Sequence, residues 1–78
     1  MAKFYRKVGR NIRYYIVECS PTLFGEYLLV KKYGNIANKK PTGMKKQYFK
    51  QYDEAMEIFN KVINKKLKKG YTKYIQLL

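Results

Sequence analysis

Between Asn11 and Cys19 the chain places Ile12, Tyr14, Tyr15, Ile16 and Val17 almost without a polar break. β-branched and aromatic residues at this density predict a strand. Ser20-Pro21-Thr22 ends it, because proline cannot donate to a ladder, and Gly25 marks the turn back. A second apolar run, Tyr27-Leu28-Leu29-Val30, is closed by Lys31 and Lys32, and predicts a strand from Glu26 to about Tyr33. The loop between the two is short, so they pair antiparallel. Gly34 and Asn35 both tolerate left-handed backbone and read as a turn ending that strand. Residues 35–44 are polar, with Pro41 and Gly43 near their end, and read as a loop. Lys45 to Lys50, with Tyr48 and Phe49, reads as a third strand.

The period then changes from two to between three and four. Tyr52, Ala55, Met56, Phe59, Ile63 and Leu67 share one helical face, which Val62 widens, so a helix is expected over residues 52–69. Asp53, Glu54 and Glu57 lie in its first turns and Lys65, Lys66, Lys68 and Lys69 in its last, as the helix dipole favours. Gln51 is a poor N-cap, whereas Gly70 suits the position after the C-cap. Phe59, in mid-stripe, is expected to be fully buried. Residues 1–10 alternate loosely between Phe4, Tyr5, Val8 and basic residues, and read as a basic arm or an edge strand. Tyr71 to Leu78 reads as a last strand or a docked tail. The fold class expected is α+β: one antiparallel sheet of about four strands with a single helix packed on one face. A chain of 78 residues is expected to form a single domain over residues 1–78.

Composition then narrows the function. Eighteen Lys and Arg stand against five Asp and Glu, a net charge of +13 that repels itself and calls for a polyanionic partner. Nucleic acid is the commonest such partner. An anionic membrane surface is the rival, but the helix's apolar stripe is wanted by the sheet, which leaves little for lipid. No apolar run is long enough to span a bilayer, and no apolar region follows the basic N-terminus as in a signal peptide. No membrane insertion and a cytoplasmic location are therefore expected. The lone Cys19 rules out an intrachain disulfide and reads as a small core residue. The chain has no histidine, Ser20 has no base partner, and no glycine loop suits a phosphate, so an enzyme is not expected. No cofactor or metal is expected either.

Some of these stretches together resemble the WGR domain family. Tyr33-Gly34-Asn35-Ile36 is similar to its Trp-Gly-Arg-Val/Ile signature, with tyrosine in the tryptophan position and asparagine in the arginine position. Phe49 followed by Asp53, Glu54 and Ala55 resembles the family's helix start. Lys66-Leu67-Lys68-Lys69-Gly70-Tyr71 resembles the Lys-x-x-Lys-Gly-Tyr ending of bacterial members, and Tyr14-Tyr15-Ile16-Val17 the aromatic first strand. The resemblance implies an antiparallel sheet crossed by one helix, and a noncatalytic module of the kind that contacts DNA breaks in poly(ADP-ribose) polymerases. Asn35 lacks the guanidinium fork, so an ion pair made by the family arginine cannot be made here. With no catalytic domain within these residues, the family's interdomain signalling is not expected to carry over.

The candidate nucleic-acid-binding residues are Lys31, Lys32, Tyr33, Lys39, Lys40, Lys45 and Lys46. They lie in the stretch from 31 to 50, which contains no acid. Lysines neutralise phosphates, and a ring can pack on a sugar or base. Strand alternation puts Lys31 and Tyr33 on one face and Lys32 on the other. DNA is favoured over RNA, held through phosphates without sequence readout, since no recognition-helix motif is present. The competing reading is a protein-interaction adaptor or inhibitor that docks on an acidic protein, motivated by an exposed strand edge and nine tyrosines.

Overall fold

The computed structural model describes residues 1–73. Four strands, β1 (Ala2–Val8), β2 (Asn11–Pro21), β3 (Tyr27–Asn35) and β4 (Gly43–Phe49), form one antiparallel sheet in the order β1-β2-β3-β4. One helix, α1 (Tyr52–Lys68), packs across β2, β3 and β4. This is the α+β arrangement expected. Residues 2–8 run as the edge strand, pairing Phe4 with Tyr15 and Arg6 with Arg13. Beyond the helix, Thr72 exchanges backbone hydrogen bonds of 2.7 and 2.8 Å with Tyr5 on the outer side of β1. The rest of the expected C-terminal element, including Tyr74, Ile75, Leu77 and Leu78, lies outside the described residues.

The core is thin. Phe4, Val17 and Leu29 are wholly buried and Tyr15 nearly so, one layer of side chains on the helix-facing side of the sheet. Ala55 is the buried residue of the helix, and its small side chain lets the helix axis come close to the sheet. Ile58, Phe59, Val62 and Ile63 pack against this layer while keeping some exposure. The expectation that Phe59 is fully buried is therefore corrected. A single helix on a four-stranded sheet leaves both flanks open, and the deepest ring is Phe4, from the edge strand. Tyr52 and Leu67, expected on the packed stripe, are about half exposed. Tyr52 lies at the end of the contact and meets Tyr27 edge-on, with ring centroids 5.5 Å apart.

Gly34 is not a turn residue. β3 continues through it to Asn35, which pairs with Arg13. Its φ is not among the positive ones, which belong to Gly9, Gly25 and Gly70. What requires glycine is proximity: a Cβ here would stand 2.9 Å from the Thr42 backbone nitrogen and 3.1 Å from Tyr14 Oη. Because the nearer obstacle is backbone, Gly34→Ala should cost about 1–3 kcal/mol, as overpacking does. In a domain of this size that lowers the melting temperature by at least about 4 °C. A variant that melts with the wild type would show that the β3–β4 hairpin yields freely.

The helix ends by a defined device. The Tyr71 amide donates to the Lys66 carbonyl and the Gly70 amide to the Leu67 carbonyl, each at 3.1 Å, with Gly70 at φ +96°. This is the Schellman pattern, open to glycine at little cost. It turns the chain back so that Tyr71 meets Tyr15 edge-on at 6.3 Å. At the other end Gln51 makes no side-chain cap, in line with its residue type.

Candidate nucleic-acid interface

Strand register and the helix end converge on one corner of the molecule. On the helix-facing side of the sheet, Tyr15 is paired with Tyr33 across β2 and β3, and Lys31 with Lys45 across β3 and β4. The Tyr15 and Tyr33 rings lie nearly parallel, with centroids 6.0 Å apart and planes 7° apart. The far end of Tyr33 rests where a Cβ on Gly43 would be, so residue 43 must be small for that ring to lie there. The last turn of α1 brings in Lys65 and Lys66, and the turn after it brings in Tyr71. The result is a cleft of about 420 Å³ lined by Arg13, Lys31, Lys45, Lys65 and Lys66 around Tyr15, Tyr33 and Tyr71. No carboxylate lines it.

The electrostatics of this corner are unfavourable in isolation. Lys31 and Lys45 are directly opposed like charges on one face, an arrangement that destabilises a sheet. Lys66 reaches inward from the helix, its Nζ 4.2 Å from the Tyr15 ring centroid and 5.6 Å from that of Tyr71. The ring faces attract the ammonium. Burial, and then the neighbouring charges of Lys69, Lys65 and Lys31, nevertheless hold its pKa below the usual lysine value. Burial pushes the Tyr15 hydroxyl the other way, above its ordinary value, with Tyr33 and Tyr71 adding to the rise. Tyr15 therefore stays neutral, a packing surface and not an acid. Among the described residues the ion pair formed is Lys61 with Glu57, on the exposed side of the helix.

The seven candidates from the sequence divide between two faces. Lys31, Tyr33 and Lys45 line the cleft. Lys32 and Lys39 line a shallower groove on the opposite face. Lys46, paired with Val30, alternates onto that opposite face as well, and Lys40 is exposed on the loop before β4. The alternation of Lys31 and Tyr33 against Lys32 is as the strand period requires. The cleft residues missed in the sequence are Arg13, Tyr15, Val62, Lys65, Lys66 and Tyr71. Lys66 had a signal, since it follows Val62 and Ile63 at helical spacing and so falls on the packed side. Arg13 and Lys65 join the cleft only through the register of β1–β2–β3 and the docking of the helix.

Asn35, in the signature's third position, is occupied locally. Its Oδ1 accepts from the Ala37 amide at 2.9 Å, and its carbonyl accepts from the Asn38 amide at 3.0 Å. It shapes the loop after β3. With Arg13, Tyr33 and Tyr71 it also lines a concavity of about 320 Å³ beside the cleft.

A small basic α+β domain with a cationic, aromatic-floored cleft has the build of a binding module. More particularly, the profile of the WGR domain matches residues 1–76, and the chain belongs to that family. WGR domains are generally nucleic-acid-binding modules and are not catalytic by themselves. The chain is also similar to an uncharacterized protein, y4dW, of Sinorhizobium fredii, with 36% identity over 64 residues. That match covers 81% of this chain and 30% of the relative, so the chain spans under a third of the curated protein it resembles. No solved structure matches the chain. No helix among the described residues is long and apolar enough to cross a membrane. No group of three metal-ligating side chains occurs among them.

Proposed function

We propose that this domain binds DNA without sequence preference, through backbone phosphates seated in the cleft beneath the end of the helix. The observation that carries this reading is the lining itself: five cations, two of them directly opposed, and no acid. Phosphate oxygens would offset the repulsion that Lys31, Lys45, Lys65 and Lys66 exert on one another. They would also favour the charged form of Lys66 that burial now disfavours. Tyr33 is half-buried against Tyr15, so its remaining edge could meet a sugar but not slide between bases. Lys40, on the loop before β4, and Lys32, Lys39 and Lys46 on the opposite face extend the positive surface around the strand. Base readout is not expected, because the helix spends its inner face on the sheet.

A second reading, docking on an acidic protein, has one observation of its own. Leu23 and Phe24 are fully or almost fully exposed at the β2–β3 turn. Thr22 Oγ1 holds that turn by accepting from the Phe24 and Glu26 amides, each at 3.2 Å. Such a tip could enter an apolar pocket of a partner. Fluorescence anisotropy with two labelled duplexes of equal length and unrelated sequence separates the readings. Phosphate binding predicts affinities equal within about twofold, weakening steeply as salt rises. Absence of duplex binding at low salt, or a strong preference for one sequence, would overturn the proposal. Absence of binding would move the weight to the protein-docking reading.

A further inference from the structure

The face of the sheet turned away from the helix carries its own pattern. Tyr5 and Tyr14 are direct cross-strand partners there, and the next residue in the row, opposite Tyr14, is Gly34. With no side chain at Gly34, the Tyr14 ring reaches over β3, its Cζ within 3.3 Å of where a Cβ would be. One row along the strands, Lys3, Ile16 and Lys32 lie side by side. With Lys39 from the loop, these residues line a groove of about 440 Å³ that has three lysines and no carboxylate. The Lys3 ammonium lies 5.5 Å from the Tyr5 ring centroid, so cation and ring present one surface.

The chemistry of this groove differs from that of the cleft. Its floor is a shelf of two rings and an isoleucine, and its rim is positive. A second copy of the chain would bring lysine against lysine. Along a duplex the base faces are stacked inside, so a flat aromatic shelf meets sugars, phosphates and groove edges but no base face. A strand with unpaired bases offers both flat apolar rings and anionic groups at close spacing. We propose that this groove binds single-stranded nucleic acid, an unpaired base stacking on Tyr5 and Tyr14 while the flanking phosphates meet Lys3, Lys32 and Lys39. The site is separate from the duplex cleft and does not rest on it. The domain would then hold a duplex on one face and an unpaired strand on the other, as a junction between the two presents them.

The test is a titration of the full chain with labelled oligo(dT), read by anisotropy and by quenching of the intrinsic tyrosine fluorescence, since the chain has no tryptophan. Wild type should bind, with quenching. Tyr5→Ala should weaken oligo(dT) binding roughly 5- to 150-fold, the range for loss of one stacked base. Tyr5→Phe should retain it. Lys3→Glu, an exposed edge substitution, should weaken it and flatten its salt dependence while the fold, checked by circular dichroism, persists. Duplex affinity should be unchanged by Tyr5→Ala, and reversal of Lys31 and Lys65 in the cleft should weaken oligo(dT) binding only slightly, through the general field, while the tyrosine quenching persists. The proposal is overturned if oligo(dT) does not bind, or if Tyr5→Ala and Lys3→Glu both bind it as wild type does. It is equally overturned if vesicles of anionic phosphatidylserine bind in its place and lose that binding with these same substitutions.

Discussion

Phe4→Ala is expected to unfold the domain or come close to it. Phe4 is wholly buried and is the largest side chain so placed among the described residues. Truncating a buried phenylalanine removes the transfer energy of the ring and leaves a cavity, a loss of about 3–5 kcal/mol. Small domains hold only about 5–15 kcal/mol in all, and a thin one-layer core stands at the low end. The cavity would open beneath Tyr15, its cross-strand partner, and so loosen the floor of the cleft as well. Phe59→Ala should cost less, because Phe59 retains exposure and the helix can settle toward the sheet. Urea denaturation of both variants checks the order. A Phe4→Ala protein with a midpoint near that of wild type would mean that β1 is not part of the cooperative core.

The second large effect is on binding. Reversing Lys31 and Lys65 to glutamate removes two cations from opposite walls of the cleft, one from β3 and one from the helix. Two charge-assisted contacts at about 1.5 kcal/mol each amount to roughly a 100-fold loss of affinity, before any new repulsion is counted. Neither side chain belongs to the buried layer, so stability should hold or rise as like-charge repulsion is relieved. The corresponding reversal of Lys39 and Lys40 should weaken duplex binding by less. Lys39 lines the groove on the opposite face and Lys40 does not line the cleft, so they contribute through the general field alone.

Much of the fold was legible because two signals reinforced each other. The helix had both a period near 3.6 and a glycine after its last turn, and its ends fell within a residue of expectation. The two central strands were legible from their β-branched and aromatic density. β1 was ambiguous because its inner row, Ala2, Phe4, Arg6 and Val8, buries only one large apolar residue, Phe4, and such a row looks like a basic arm. Gly34 was misread for a physical reason. A turn and a close approach both exclude a Cβ, and the sequence does not distinguish a backbone that must bend from one that must be bare. A third of the cleft lining was legible. Lys31, Tyr33 and Lys45 stood out as charge and ring in one acid-free stretch, but Arg13 and Tyr71 are nearly 60 residues apart in the chain and meet only in the folded sheet.

The central claim, that cations of the cleft neutralise DNA phosphates, is tested most directly by comparing salt dependences. One labelled duplex is titrated with wild type and with the Lys31→Glu, Lys65→Glu variant across a range of salt. Four to six phosphate contacts predict a wild-type slope of log K on log salt of roughly −4 to −5, and the variant should be shallower by about two. Identical slopes and affinities for the two proteins would contradict the account, and would place the bound phosphates elsewhere on the surface.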